Sequence, residues 1–219
     1  MTAVIFDMDG VIFDSERAYI ECMEEVAEKH GLEGMREVAY KCIGTTSAAT
    51  REIVLEAYGR DIEYDSFVGE ASRVFHDKYD GGRLPVKSGA REILSALKDM
   101  GVPVALASST REATVRKELT EAGLIDFFDI LVCGDMVKKS KPEPDIFLKA
   151  CEMLGTEPEN AYVIEDSFNG IRAAYSAGTH PIMVPDILGP DDEMRAKAEK
   201  IFDSLFAARD FLVANINVL

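Results

Sequence analysis

Short runs of apolar residues alternate along the chain with longer stretches in which apolar residues recur every three or four positions. The runs predict buried strands, and the longer stretches predict amphipathic helices. This alternation is typical of a parallel sheet whose faces are covered by helices, so we expect an α/β fold. Predicted strands lie at 3–6, 102–107, 130–133, 162–164 and 182–184.

One long stretch, from about Ser15 to Gly82, lacks the strand pattern and predicts helices only. Its predicted helices run over 16–30, 36–42, 46–58 and 64–79, separated by glycines. Beyond it the alternation resumes, with helices predicted at 89–100, 111–122, 146–154 and 167–177. We therefore predict two domains: residues 1–14 and 84–219 form the sheet-containing core, and residues 15–83 form an inserted helical domain.

Polar side chains follow four of the predicted strands. In open parallel sheets, ligands bind beyond the carboxyl ends of the strands, so these side chains are expected to meet at one edge. They are Asp7 and Asp9 after the first strand, Ser108, Ser109 and Thr110 after the second, Lys141 in the loop after the third, and Glu165 and Asp166 after the fourth.

The acidic residues at this edge predict a metal site. Four carboxylates, those of Asp7, Asp9, Glu165 and Asp166, would repel one another unless a proton or a cation compensated them. Mg²⁺ is the natural partner, since it binds carboxylate oxygens, water and phosphate oxygens. An Asp-x-Asp pair alone is weak evidence for a metal, because aspartates at strand ends often cap helices, but a second acidic pair at the same edge favours the metal.

The same residues suit phosphoryl transfer. Asp7 can attack phosphorus and form an aspartyl-phosphate, while Asp9 can protonate the leaving oxygen and later accept a proton from water. Ser108 can donate to a phosphoryl oxygen, although it could instead cap the next helix. Lys141 can neutralise the transferring group, although a lysine in the run 138–141 could simply be solvated. Prolines at 142 and 144 stiffen the loop behind Lys141 and favour the functional interpretation.

Composition and charge limit the classes of molecule that the protein could bind. The 219-residue chain has 24 Lys and Arg against 40 Asp and Glu, a formal net charge of −16, which disfavours nucleic acid as a partner. Its four cysteines are widely spaced, which indicates reduced thiols and a cytoplasmic location. No segment has the pattern of a signal peptide or a membrane span. We expect a monomer that acts on a small phosphorylated metabolite.

Four segments, in order, resemble the motifs of the haloacid dehalogenase superfamily, in its β-phosphoglucomutase-like and sugar-phosphatase branch. They are DMDGV at 7–11, ASST at 107–110, KPEPD at 141–145 and EDSxxG at 165–170. The resemblance covers nearly the whole chain and implies a Rossmann-like core. It implies that Asp7 is the nucleophile, Asp9 the acid and base, and Ser108, Ser109 and Lys141 the phosphate-binding residues.

The resemblance also implies a Mg²⁺ site and a cap. The ion would bind the carboxylate of Asp7, the backbone carbonyl of Asp9 and the carboxylate of Asp166, with Glu165 either a ligand or behind the ligands. The helical insertion resembles the four-helix cap of this branch, which closes over the site and selects the substrate.

Three functions remain open, and the favoured one is a Mg²⁺-dependent phosphatase acting on a small metabolite such as a sugar phosphate. Dehalogenases of the superfamily lack an acid at the position of Asp9, which argues for phosphate esters. The mutase carries a histidine where this chain has Tyr19, and cations in a substrate loop whose counterpart here contains Gly44. The alternatives are therefore a hexose-phosphate mutase and, from another class, a non-catalytic binder of phosphorylated metabolites. Tyr19 and Gly44 are candidate substrate contacts.

Overall fold

The computed structural model describes residues 2–216, apart from 44, 46 and 61. The chain divides into two compact units, one formed by Met1–Phe13 with Val86–Leu219 and the other by Asp14–Pro85. We call the first the core unit and the second the helical unit. At the point where the chain leaves and re-enters the core unit, Phe13 forms an antiparallel bridge with Val86.

The core unit contains a six-stranded parallel sheet in the order β3-β2-β1-β4-β5-β6. β1 lies at its centre and pairs with β2 on one side and β4 on the other. The predicted α/β fold is therefore confirmed. The strands are β1 (Ala3–Phe6), β2 (Val104–Ser108), β3 (Ile130–Cys133), β4 (Ala161–Glu165), β5 (His180–Met183) and β6 (Lys200–Ile201).

Two details of the sheet differ from the prediction. Ser108 does not follow β2 but is its last residue, because the pairing with β3 extends to Cys133. β6 was not predicted, because it is only two residues long and includes an exposed lysine, so it leaves no apolar run. The first difference concerns a strand end and the second a whole edge strand, and in both cases pairing to a neighbouring strand decides the assignment rather than local sequence.

Helices cover both faces of the sheet because their apolar stripes must be buried. On one face, α7 and α8 bury Phe147, Ala150 and Ala174 against strand residues such as Ile5 and Val163. α5 and α10 pack against each other. The core helices are α5 (Ala90–Asp99), α6 (Glu112–Glu121), α7 (Asp145–Leu154), α8 (Phe168–Ala177), α9 (Asp192–Lys197) and α10 (Leu205–Asn215).

The helical unit contains α1 (Ser15–Lys29), α2 (Met35–Cys42), α3 (Ser47–Tyr58) and α4 (Tyr64–Tyr79). Within this unit, α1 packs against both α2 and α4. Val26 and Ala71 are fully buried at this packing. No helix within the described residues is both long and apolar enough to cross a membrane.

Candidate active site

Asp7 is held at the end of the central strand. Its backbone N–H donates to the carbonyl of Ile164 at 3.0 Å, so the ladder between β1 and β4 extends to the aspartate, whose side chain is buried. The chain then turns tightly, with Gly10 donating to Phe13 at 2.9 Å. Gly10 has a φ of 83°, a conformation that glycine adopts without strain. This turn carries Asp9 beside Asp7.

Lys141 joins the strand ends. Its Nζ donates to Asp7 Oδ1, to Glu165 Oε1 at 2.7 Å and to the carbonyl of Ala107 at 3.1 Å. The side chain is only 7% exposed, whereas Lys138 and Lys139 in the same run are exposed. Lys141 is therefore not a solvated lysine, because all three contacts bind it to the sheet edge.

Burial and charge set the protonation of this group. Burial raises the pKa of Asp7 well above its usual range, and the nearby carboxylates of Glu165 and Asp9 raise it further, against the opposing effect of Lys141. Burial acts to lower the pKa of Lys141, but Asp7 and Glu165 outweigh it and hold that pKa above its ordinary value. One ammonium thus faces two carboxyl groups, and a further cation beside them would favour the ionised form of Asp7.

Glu165 holds neighbouring backbone groups in place, in addition to supplying a negative charge. Its Oε2 accepts three bonds: from the N–H of Asp166 at 3.0 Å, the N–H of Ser167 at 2.9 Å and the hydroxyl of Ser167 at 2.9 Å. Its Oε1 accepts from Lys141. A Cβ atom at Gly170 would overlap the Glu165 carboxylate, so only glycine fits where α8 passes it. Both oxygens of Glu165 are therefore already bonded to protein donors.

The carboxylates of Asp7, Glu165 and Asp166 form a cluster that fits a hard cation. One oxygen from each lies within 4.8 Å of the others, and all three residues are buried. A Cβ atom at Gly10 would overlap the carboxylate of Asp166, so the glycine leaves room for this side chain. An all-oxygen, acidic donor set is the kind that Mg²⁺ binds. Among the described residues, the Asp9 side chain does not belong to this cluster.

Ser108, the last residue of β2, and Ser109, which follows it, lie in different environments. Ser108 is completely buried, and its Oγ accepts the N–H of Thr110 at 3.0 Å. Ser109 is exposed, while its carbonyl packs so closely against Gly134 that a Cβ atom there would overlap it. The residue that precedes α6 is Arg111, which makes no side-chain cap. The structure thus places Ser108 at the edge with Asp7 and Lys141, away from the start of α6.

Two predicted substrate contacts fall outside the core unit. Tyr19 lies on α1, half-buried, with its ring edge-on to Phe75 at a centroid distance of 6.0 Å. Burial raises the pKa of its hydroxyl. Gly44 lies outside the residues that the structure describes. The roles of both residues in substrate binding stay predictions.

Two features of the site were missed in the sequence. The hydroxyl of Thr110 donates to Asp9 Oδ2 at 3.0 Å. Asp186, whose side chain is 1% exposed, accepts from Lys87 Nζ at 2.6 Å, and one of its oxygens lies within 4.8 Å of an Asp166 oxygen. A signal for Asp186 was present, because it follows the predicted strand at 182–184 as Asp7 follows the first. Thr110 lies at the end of the ASST motif, but nothing in the local sequence indicates that its hydroxyl contacts Asp9.

Known proteins resemble this chain over most of its length. Residues 4–184 match the family described as haloacid dehalogenase-like hydrolase. A Thermotoga maritima protein named phosphorylated carbohydrates phosphatase is 36% identical over 186 residues, which cover 83% of this chain and 84% of that protein. The β-phosphoglucomutase of Bacillus subtilis is 30% identical over 216 residues, 94% of each chain.

Solved structures share the fold. A crystal structure of a HAD family hydrolase from Deinococcus radiodurans, with bound phosphate and sodium, superimposes with a TM-score of 0.82. The two chains are 26% identical, and the match covers 98% of this chain and 96% of the other. The likeness therefore includes the helical insertion as well as the sheet.

Proposed function

Because the chain belongs to the haloacid dehalogenase-like hydrolase family, we propose that it hydrolyses phosphate monoesters of small metabolites, sugar phosphates in particular, through an aspartyl-phosphate on Asp7. Membership of the family confirms the resemblance and the enzyme class predicted from the four motifs. The proposed substrate class is supported by the Thermotoga maritima relative, whose name refers to phosphorylated carbohydrates. We predict that residues of the helical unit determine which sugar phosphate is the substrate.

The observation that carries the proposal is the position of Lys141 between two buried carboxylates. The ammonium donates to both Asp7 and Glu165, and Glu165 is fixed in turn by the start of α8. A lysine held this way orients the nucleophilic carboxylate and supplies positive charge where phosphoryl oxygens would gather. A non-catalytic binder would need no such nucleophile, so the arrangement favours an enzyme.

The proposed reaction has two steps. A carboxylate oxygen of Asp7 forms a bond to phosphorus as the bond from phosphorus to the leaving oxygen breaks, and Asp9 gives that oxygen its proton. Water then attacks the phosphorus of the aspartyl-phosphate, Asp9 takes a proton from it, and the carboxylate of Asp7 is released with inorganic phosphate. Ser108 and Lys141 hold the phosphoryl oxygens during both steps.

Mg²⁺ would be held by the carboxylates of Asp7 and Asp166 and by the backbone carbonyl of Asp9. When bound, it would neutralise charge on the phosphate and on these carboxylates. We assign Glu165 a supporting role instead, because both of its oxygens already accept bonds from protein donors. Its task is to fix Lys141 and the turn that carries Asp166.

A hexose-phosphate mutase is the second candidate, because the β-phosphoglucomutase of Bacillus subtilis matches 94% of this chain. A mutase must retain its phosphoryl group while an intermediate bisphosphate reorients, whereas a phosphatase admits water. Tyr19 at the position of the histidine implied by the resemblance favours hydrolysis. Phosphorus NMR of glucose 1-phosphate with a trace of glucose 1,6-bisphosphate separates the two. Free phosphate supports hydrolysis, and glucose 6-phosphate without free phosphate supports the mutase.

The deciding experiment for the phosphatase is phosphate release from a panel of sugar phosphates. We expect turnover with Mg²⁺, none after chelation with EDTA, and recovery when Mg²⁺ is restored. Asp7→Asn should abolish turnover while the circular dichroism spectrum and melting temperature show a folded protein. Near-wild-type hydrolysis by Asp7→Asn would overturn the nucleophile assignment. Absence of turnover across the panel, together with saturable binding of the same esters, would favour the non-catalytic binder.

A further inference from the structure

We propose that Thr110 is a positioning residue for Asp9, which rests on the function proposed above. The Thr110 hydroxyl donates to Asp9 Oδ2 at 3.0 Å, across 101 positions of sequence. Because this oxygen accepts the hydroxyl proton, a second proton on the same oxygen would compete with the bond. Thr110 therefore fixes the rotation of the carboxylate and assigns the transferable proton to Oδ1.

Both backbone polar groups of Thr110, its N–H and its carbonyl, are hydrogen-bonded. Its N–H donates to Ser108 Oγ at 3.0 Å, and its carbonyl accepts from the N–H of Gly134 at 2.9 Å. Gly134 follows β3 and packs against the carbonyl of Ser109 with no space for a side chain. The hydroxyl thus extends from a segment fixed to the ends of two strands, which is what precise orientation of an acid requires.

A role for Thr110 in starting α6 does not account for its contact with Asp9. The helix begins at Glu112, whose N–H donates to Asp135 Oδ1 at 3.0 Å. Arg111 precedes the helix and makes no side-chain cap. Asp135, in the short 3-10 turn after β3, therefore accepts the N–H at the start of the helix, and the Thr110 hydroxyl donates to Asp9 instead.

Leaving-group dependence tests this role. A sugar alkoxide must be protonated as it leaves, whereas p-nitrophenolate is stable without a proton, so only the sugar ester depends on an oriented acid. We compare kcat/KM for glucose 6-phosphate, or the best sugar phosphate of the panel, with kcat/KM for p-nitrophenyl phosphate. This parameter reports the chemistry only up to release of the leaving group, so the later hydrolysis of the aspartyl-phosphate does not obscure it.

The variants are Thr110→Val, which keeps the shape and removes the hydroxyl, and Thr110→Ser, which keeps the hydroxyl. Thr120→Val, at an exposed position on α6, is the matched control. We expect Thr110→Val to lower kcat/KM for the sugar phosphate by about 10- to 100-fold, a part of what general acid catalysis contributes. For p-nitrophenyl phosphate the change should be less than about threefold, and Thr110→Ser should restore the sugar ester to within about threefold.

Equal losses on both esters, or no loss on either, would overturn the proposal, as would failure of Thr110→Ser to restore the sugar ester. Melting temperatures of all variants show whether a loss comes from misfolding; if Thr110→Val does not fold, the Thr110→Ala variant is compared with Thr110→Ser in its place. Failure of the proposed function is a separate result, because the wild type would then hydrolyse neither ester.

Discussion

Gly170 lies directly against the carboxylate of Glu165, and a Cβ atom at this glycine would overlap it. The contact matters because Glu165 bonds to Lys141 with one oxygen and to the turn at Asp166 and Ser167 with the other. Any side chain at 170 must therefore displace the residue that holds the lysine. A glycine on one helix thus influences the geometry of Asp7, the proposed nucleophile, which is three contacts away through Glu165 and Lys141.

We expect Gly170→Ala to lower kcat by about 100-fold, the usual cost of misplacing a catalytic group by about 1 Å. Overpacking should also cost about 1–3 kcal/mol of unfolding free energy. Gly69→Ala is the matched control, because Gly69 also lies within a helix and a Cβ atom there would meet only the Arg73 side chain at 3.9 Å. That control should be stabilising by about 0.5–1 kcal/mol. Denaturant unfolding and initial rates measure both effects, and full activity in Gly170→Ala would contradict the anchoring role of Glu165.

Lys141 and Lys139 offer a second matched pair in one loop. Lys141→Met should reduce kcat by about 1,000-fold through loss of charge stabilisation. It should also lower the unfolding free energy by about 3–5 kcal/mol, because two buried carboxylates lose their shared cation. Lys139 has a side chain 65% exposed, and it forms a surface ion pair with Glu143 at 3.5 Å. Lys139→Met should change stability by less than about 0.5 kcal/mol. Comparable effects of the two substitutions in steady-state kinetics would refute the special position of Lys141.

The ion pair of Lys87 with Asp186 should stabilise the fold only while both residues are present. Asp186 is 1% exposed, so Lys87→Met leaves a buried carboxylate without its ammonium and should cost about 3 kcal/mol. The double variant Lys87→Met/Asp186→Leu removes the charge as well and should recover part of that loss. Urea unfolding of the two single variants and the double variant gives the coupling energy. A double variant less stable than Lys87→Met would show that Asp186 is stabilising without its partner.

The thiols of Cys133 and Cys151 should resist alkylation in the native protein. Burial raises the pKa of each to about 11. The thiolate is the reactive form, and at pH 8 a pKa near 11 leaves only about one thiol in a thousand ionised. We expect iodoacetamide to leave both unmodified for hours at pH 8 and to label all four cysteines in 6 M guanidinium chloride, as read by mass spectrometry. Rapid native labelling of Cys133 would show that the end of β3 opens.

Much of the sheet followed from apolar runs, since β1 to β5 are each buried and each coincides with one of them. Strand ends were harder, because the pairing of Ser108 with Cys133 is a tertiary contact that no run of side chains records. β6 pairs only two residues with β5, and Lys200 within it is exposed. The pattern of apolar residues predicts a strand that is covered on both faces, but it does not predict a short strand at the edge of the sheet.

For the site, the strand-end rule and the motifs led to Asp7, Lys141, Glu165 and Asp166, and the structure brings them together. What the sequence could not supply was the pairing of functional groups across long separations. The bond from Thr110 to Asp9 and that from Lys87 to Asp186 join positions 101 and 99 residues apart. Such pairs depend on how the fold brings distant segments together, which local sequence does not record. The three donors on Glu165 Oε2 lie close by in sequence and were missed for a different reason, because two of them are backbone groups that no residue type marks.

The bridge between Phe13 and Val86 has a consequence for how this chain can evolve and be re-engineered. The two ends of the inserted segment lie side by side, and the backbone N–H of Asp14 donates to the carbonyl of Pro85 at 2.9 Å just beyond the bridge. To preserve the sheet, the inserted segment needs only to bring its two ends together. The entropy cost of closing a loop rises slowly with its length, so insertions of different length are tolerated. We expect chimaeras that exchange residues 14–85 between relatives to keep the strand register, so that the selectivity proposed for the insertion could be recombined with the phosphate chemistry proposed for the core.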